Sequence, residues 1–150
     1  VSNSELNNTG INAGEGNAKF TPATAAQKSA PAMATKTISI TFPTGSYALG
    51  ENAKSLIDIQ FADVAKGFGN ARVRIEGNTD NVGNKLKNVE LSRKRAEAVA
   101  SYLEKTYNMD SNRFIIIGNG QDKPVPGCES NSTPECKAKN RRTEFQLIGE

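Results

Sequence analysis

The stretch Arg72-Val73-Arg74-Ile75-Glu76, followed after a turn by the segment from about Lys85 to Tyr107, decides the fold. In the first stretch apolar and charged side chains alternate, which predicts a strand with its apolar members facing a core and its charged members facing away. The second segment has one apolar stripe at helical spacing, which predicts a long helix. The residues of that stripe are Leu91, Val99, Tyr102 and Leu103.

Similar patterns lie on both sides of this unit. Residues 37–42 alternate as a strand, and residues from about 52 to 68 carry apolar side chains at helical spacing. Downstream, residues 114–117 form a short apolar run, and residues 144–147 alternate again. The order is therefore strand, helix, strand, helix, strand, loop, strand.

This order predicts an α+β fold, a two-layer sandwich in which a mixed four-stranded sheet carries its helices on one face. Most of the strands alternate, so we expect the second face of the sheet to be exposed to water. The first two strand-helix-strand crossovers should be right-handed and should join parallel strands. The last strand can pair antiparallel.

The first part of the chain has a different composition from the rest. Residues 1–35 are rich in Asn, Ala, Thr, Ser and Gly, which predicts a linker or N-terminal extension before a domain at 36–150. Ile11 and Phe20 are the expected anchors if this segment lies along the domain. The chain opens at Val1 without a charged and then apolar leader, so we expect a fragment or a mature product whose export signal is out of view.

Composition excludes several classes of function. The chain has no histidine, which removes the commonest general base, the usual hydrolytic triads and imidazole-based zinc sites. A net charge of +3, scattered along the chain, does not indicate nucleic-acid binding. Enzyme chemistry through carboxylates or lysine stays open on composition alone, but we expect no catalytic residue, no metal and no cofactor.

Cys128 and Cys136 are the two cysteines of the chain and lie in a loop rich in Pro, Gly, Ser and Asn. Neighbouring cysteines without further partners favour a disulfide, and a disulfide indicates an oxidising compartment. Free thiols in a reducing compartment are the alternative. A metal site is disfavoured because two thiolates leave half of a tetrahedral shell empty.

Polar residues occupy part of the core-facing side of the second helix. Asn88, Leu91, Ser92 and Arg95 are spaced so that they share one face. Arg95 then has two interpretations. It can form a buried ion pair with Asp80, in the glycine-containing turn before the helix, or both groups can line a pocket. Such a pocket would suit a ligand that carries both an ammonium and a carboxylate.

Five sequence blocks between about Lys36 and Ile148 follow one another in a specific order and spacing. The blocks are Ile75-Glu76-Gly77-Asn78-Thr79-Asp80-Asn81-Val82-Gly83, Asn88, Leu91-Ser92-Arg93-Lys94-Arg95-Ala96, Gly118-Asn119-Gly120 and Asn140-Arg141-Arg142-Thr143-Glu144. Together they closely resemble the signature of the OmpA-like peptidoglycan-binding domain. That family includes C-terminal domains of outer-membrane porins, peptidoglycan-associated lipoproteins and flagellar stator proteins.

The resemblance implies non-covalent binding of the peptide stem of peptidoglycan, chiefly its diaminopimelate residue. It implies that Asp80 takes the ammonium of the ligand, that Arg95 takes its carboxylate and that Asn88 hydrogen-bonds it. The closing block, with Arg141 and Arg142, borders the same pocket. The resemblance further implies that Thr79 and the amides near Gly77 supply backbone contacts. It implies that another wall is formed by Phe42, Thr44 and Gly45.

The predicted function is therefore a tether between the cell wall and an envelope protein in the periplasm. Its partner is the diaminopimelate-type stem peptide, and we expect contact with the outer membrane only through a segment upstream of Val1. A protein-interaction module that kept the fold without the wall ligand is the alternative. A wall-cleaving glycosidase needs two carboxylates around a sugar, and Glu76 is expected to face solvent, so we do not expect an enzyme.

Overall fold

The fold is organised around a mixed four-stranded sheet. The computed structural model describes residues 20–33, 37–61, 67 and 71–149. The strands are β1 (Ile38–Thr41), β2 (Arg72–Gly77), β3 (Phe114–Gly118) and β4 (Arg142–Ile148). Their order is β1-β4-β2-β3, with β4 antiparallel to both neighbours and β2 parallel to β3. The predicted α+β fold is confirmed, and β1 and β2 run in the same direction with β4 inserted between them.

The described helices are α1 (Ala25–Ser29), α2 (Glu51–Gln60), α3 (Lys85–Tyr107) and α4 (Pro134–Asn140), with a 3₁₀ turn at Ser111–Arg113. The long helix α3 has the predicted bounds. It begins where the Asn84 side chain accepts hydrogen bonds from the next backbone amides, and it ends at Asn108, in the left-handed conformation with φ 55°. The predicted extension of α2 to Phe68 lies outside the described residues. Helices α1 and α4 were not predicted.

The core lies between one face of the sheet and the helices α2 and α3. Inward residues of β2 and β4 pack there against buried residues of α3, and Phe61 meets Phe145 edge to face at 4.9 Å between ring centroids. Fully burying one such side chain stabilises the fold by about 1.5–3 kcal/mol. Among the described helices, none has the length and the apolar character that a bilayer crossing needs.

The second face of the sheet is partly covered, which differs from the expectation that it faces water. Ile115, Ile117 and Ile148 are buried there against Ala23 and Ala30 of the N-terminal segment. This segment follows Phe20, one of the two expected anchors, which is buried and packs on Phe114. The other expected anchor, Ile11, and the predicted boundary at residues 35 and 36 lie outside the described residues.

Arg74 explains how a segment of low hydrophobicity can lie on the sheet. Its Nη1 atom donates to the carbonyl oxygens of Gln27 and Lys28, each at 3.1 Å, and to that of Ala30. The side chain was predicted to face solvent but is only 6% exposed. Alternation identified the correct face of the strand, but the carbonyl groups at the end of α1 cover the guanidinium.

Candidate ligand-binding site

The end of β2 approaches α3 closely, and Gly77 permits this. A Cβ atom added at Gly77 would lie 1.7 Å from the carbonyl oxygen of Ser92, so no other residue fits without moving the helix. The Ser92 hydroxyl accepts a hydrogen bond from the amide of Gly120 at 2.9 Å. These contacts fix the N-terminal half of α3 against the loops that follow β2 and β3.

Arg95 is fully buried and organises the loop after β1. Its Nε atom donates to the carbonyl of Ser46 at 2.8 Å, Nη1 to that of Asn78 at 2.9 Å and Nη2 to that of Pro43 at 3.1 Å. The guanidinium also lies 5.1 Å from the ring centroid of Phe42. A guanidinium has five N–H donors, so one N–H on each terminal nitrogen has no acceptor among the described residues.

Burial governs the electrostatics of Arg95. The pKa of Arg95 is lowered to about 10, mainly by desolvation and to a smaller degree by the positive charge of Arg141, while the negative charge of Asp80 acts in the opposite direction. The guanidinium therefore remains charged near neutral pH. A buried cation with unused donors favours an additional anionic group close by.

Asp80 is also buried, with 5% of its surface exposed. Its Oδ2 atom lies 3.1 Å from Nη1 of Arg141, and its Oδ1 atom accepts from the amide of Val82 at 3.1 Å. Among the described residues, the ion pair of Asp80 is with Arg141 and not with Arg95. The interpretation in which Asp80 and Arg95 form a closed pair is therefore wrong, because the donors of Arg95 point to backbone carbonyls instead.

Asn88 lies in the first turns of α3, 6% exposed, beside the loop that carries Asp80. Its Nδ2 atom donates to the carbonyl of Val82 at 3.2 Å and to Oε1 of Gln121 at 3.1 Å. A weaker contact reaches the carbonyl of Asp80 at 3.5 Å. Asn88 thus joins the loop after β2 to the loop after β3.

The backbone near Gly77 is already engaged in the protein itself. The amide of Asn78 donates to the carbonyl of Arg142 at 2.8 Å, and the amide of Thr79 donates to that of Gly120 at 2.9 Å. The Thr79 hydroxyl donates to the next carbonyl along the chain at 2.7 Å. The amides of Asn78 and Thr79 are therefore already paired within the protein.

The two arginines of the closing block point in different directions. Arg141 reaches Asp80, whereas the Nε atom of Arg142 pairs with Glu144 at 2.7 Å and its Nη2 atom donates to the carbonyl of Lys123 at 3.0 Å. The structure therefore brings Arg141 into the site but turns Arg142 to other partners. Thr44 is exposed at the tip of a turn with Gly45 at φ 72°, next to the carbonyls that Arg95 holds.

The disulfide between Cys128 and Cys136 is present, with Cα atoms 5.0 Å apart. Cys136 lies in α4, which ends immediately before Arg141. The buried amide of Asn140 donates to the carbonyl of Cys128 at 3.1 Å. The bridged loop and α4 therefore hold the backbone from which Arg141 reaches the site.

Two kinds of site residue were not predicted. Gln121 follows the Gly118-Asn119-Gly120 block directly, so its nearness to that block was an available signal. Pro43 and Ser46 contribute through their backbone carbonyls, and the identity of a side chain does not show that the backbone of the same residue accepts a hydrogen bond. Pro43 and Gly45 indicated only that the first strand ends there.

Known proteins resemble this chain in sequence and in fold. Residues 41–141 match the sequence profile of the OmpA family. The peptidoglycan-binding protein ArfA of Mycobacterium bovis is 39% identical over an alignment of 107 residues, and the match covers 67% of this chain and 32% of that protein. Outer membrane protein A of Bordetella avium is 35% identical over 101 residues, 67% of this chain and 50% of that protein.

A solved structure has the same fold. The crystal structure of the peptidoglycan-associated lipoprotein from Burkholderia pseudomallei aligns with a TM-score of 0.63 and 29% identity, covering 73% of this chain and 87% of that one. The chain spans a third to a half of the length of the two curated relatives described above.

Proposed function

Because this chain belongs to the OmpA family, we propose that the site around Asp80 and Arg95 binds peptidoglycan non-covalently, through the diaminopimelate residue of the stem peptide. The observation that carries the proposal is the placement of a buried carboxylate and a buried guanidinium with two unused N–H donors around one loop. A residue with both an ammonium and a carboxylate complements this pair. One relative is a peptidoglycan-binding protein, which supports peptidoglycan as the ligand.

Each charged residue has a distinct role in this proposal. Asp80 accepts hydrogen bonds from the ligand ammonium and shares its carboxylate with Arg141. Arg95 donates its two remaining N–H groups to the ligand carboxylate. Arg95 is fully buried under the Phe42–Ser46 loop, so the exposed turn at Thr44 has to move for the carboxylate to enter. Asn88 holds the loop of Asp80 in position.

Binding of this kind tethers rather than cuts. A few charged hydrogen bonds, each about 1.5–3 kcal/mol, give a dissociation constant for a single stem of about tens of micromolar to millimolar. Many stems on one polymer raise the effective affinity. The relatives include outer membrane proteins and a lipoprotein, which supports an envelope location in the periplasm. Attachment to the outer membrane through an upstream segment is part of the proposal.

Calorimetric titration with a diaminopimelate-containing stem peptide tests the proposal. The matched ligand carries lysine at the same place and lacks the second carboxylate. The matched variant is Asp122→Asn, which removes one exposed carboxylate from the loop after β3. We expect the diaminopimelate peptide to bind more tightly than the lysine peptide, and Asp80→Asn to weaken it at least tenfold. Equal affinities for both peptides, or no effect of Asp80→Asn, refute the proposal.

A second candidate is an interaction module that does not bind the wall. It is favoured by one observation: Asp80 and Arg95 both have partners within the chain. Sedimentation with purified sacculi distinguishes the two candidates, because only the first predicts that the wild type pellets with the wall and that Asp80→Asn stays in the supernatant. The expectation that the protein is not an enzyme stays a prediction.

A further inference from the structure

A small cleft lies beside the loop that Arg95 organises. Its volume is about 330 Å³, and its walls are Tyr47, Lys94, Glu97, Ala98 and Ser101. This volume is at the lower end of those seen for small-molecule sites. We propose that the cleft is a second subsite that binds an N-acetylated sugar of the wall glycan. The proposal rests on the proposed function, since it extends the same ligand from its peptide to its sugar.

The chemistry of the walls suits an uncharged sugar. Tyr47 is 48% exposed, so much of its ring can pack against the apolar C–H face of a pyranose. Around the ring stand an ammonium, a carboxylate and a hydroxyl, from Lys94, Glu97 and Ser101, which can bond to sugar hydroxyls and to an acetamido group. One cation and one anion leave no net charge in the walls, so a polyanion has no advantage there.

Two of these side chains are held in position before any ligand arrives. The Nζ atom of Lys94 lies 5.4 Å from the centroid of the Tyr47 ring. The Oε2 atom of Glu97 lies 2.6 Å from Nη1 of Arg93, one turn earlier on α3. Preorganised walls lower the entropy cost of binding. Lys94 and Glu97 therefore each have a partner within the chain at the rim of an exposed aromatic ring.

The cleft also lies at a suitable distance from the stem-peptide pocket. Tyr47 follows Ser46, whose carbonyl Arg95 holds, and Lys94 precedes Arg95 on α3. Ser101 lies six positions beyond Arg95, about 9 Å along the helix axis. In a stem peptide, two residues separate the diamino acid from the sugar, which is about 7–10 Å when extended. One ligand can therefore reach both places.

The test compares two ligands on four proteins. The ligands are a stem peptide alone and the same peptide joined to its N-acetylated disaccharide. The proteins are the wild type, Tyr47→Ala, Tyr47→Phe and Ile59→Ala, in which a side chain 82% exposed on α2, outside the cleft, is shortened as a control. Calorimetry gives each dissociation constant, and circular dichroism verifies that each variant is folded.

We expect the sugar to tighten wild-type binding about three- to tenfold. Tyr47→Ala should remove this gain and leave the affinity for the peptide alone unchanged, while Tyr47→Phe and Ile59→Ala should retain it. Equal affinities of the wild type for both ligands, a gain that persists in Tyr47→Ala, or a gain lost in Tyr47→Phe overturn the sugar subsite and leave the stem-peptide proposal intact. If neither ligand binds the wild type, both proposals fail.

Discussion

The Nη1 atom of Arg141 lies 3.1 Å from Oδ2 of Asp80, so the guanidinium of Arg141 already pairs with one oxygen of the Asp80 carboxylate. The same arginine donates through Nε to the carbonyl of Phe42 at 3.0 Å. Arg141 therefore links the end of β1 to the loop after β2. A ligand ammonium has to share Asp80 with it.

Replacing Arg141 tests this sharing. In Arg141→Gln the buried carboxylate of Asp80 loses its cation, and we expect the free energy of unfolding to fall by about 1–2 kcal/mol. A ligand ammonium can then replace the missing charge, so a saturating stem peptide should raise the melting temperature more in the variant than in the wild type. A smaller rise in the variant indicates that Arg141 contacts the ligand directly.

Arg95→Lys keeps the positive charge and removes the planar set of N–H donors of the guanidinium. A lysine cannot serve the three carbonyls of Pro43, Ser46 and Asn78 together, so we expect a loss of about 3 kcal/mol in the free energy of unfolding. Amide exchange should also become faster in the Phe42–Ser46 loop. Arg93→Lys is the control, because Arg93 is partly exposed and pairs with Glu97, one turn away on the same helix. That change should cost less than about 1 kcal/mol.

Gly77→Ala tests the close approach of β2 and α3. The new methyl group meets the backbone of Ser92 at 1.7 Å, and backbone cannot rotate away as a side chain can. We expect a loss of about 3 kcal/mol or more in denaturant unfolding. Gly149→Ala is the control, since nothing lies within 4 Å of its added Cβ. Equal stability of the two variants contradicts the packing described for the site.

The disulfide should support both stability and the site. Replacing Cys128 and Cys136 by serine opens a loop of eight residues' separation, and we expect a loss of about 2.5 kcal/mol on the chain-entropy model. Because Cys136 lies on the helix before Arg141, the double variant should also bind the stem peptide more weakly. A reducing agent should lower the melting temperature of the wild type and leave that of the variant unchanged.

Asp58 gives the fold a dependence on acid pH. Hydrogen bonds from Tyr107 and Tyr102 hold the pKa of Asp58 below its ordinary value of 3.8. Between the lowered pKa of the folded state and the ordinary pKa of the unfolded state, the folded protein binds fewer protons than the unfolded chain. The free energy of unfolding therefore rises with pH in that range. The contribution is complete above about pH 5 and is lost as the pH falls through the folded pKa.

In Asp58→Asn the free energy of unfolding should therefore vary less between about pH 5 and pH 2 than in the wild type. Chemical denaturation at a series of pH values measures this. Asp122→Asn serves as the control because Asp122 is well exposed, and its curve should follow that of the wild type. Parallel curves for Asp58→Asn and the wild type contradict the role of the tyrosines.

Local patterns predicted the long elements well. The bounds of α3 agree with the prediction, and its apolar stripe from Leu91 to Leu103 identified the side of the helix that faces the core. The sequence patterns predict a loop where helix α4 lies, although Thr133 caps this helix and Pro134 occupies its first position. Its seven residues carry no apolar stripe, so no periodicity marked it.

The arrangement of the site depended on partners far along the chain. Asp80 and Arg95 were predicted to lie in one region, but the pairing of Asp80 with Arg141 joins residues 61 positions apart. Insertion of β4 between β1 and β2 creates that contact, and no local pattern specifies strand order. The burial of Arg74 also depends on a distant segment. That segment has few apolar side chains, so no pattern in the sequence predicts that it covers the sheet.

The segment that covers Arg74 has a mechanical consequence. A pull applied through the residues before Phe20 reaches the contact with Phe114 first, then the carbonyls held by Arg74, and then the bond from Met33 to the carbonyl of Leu147. These attachments lie in series along the chain ahead of β1. Load from that end therefore meets these contacts before it reaches β1, the rest of the sheet and the loops around Asp80.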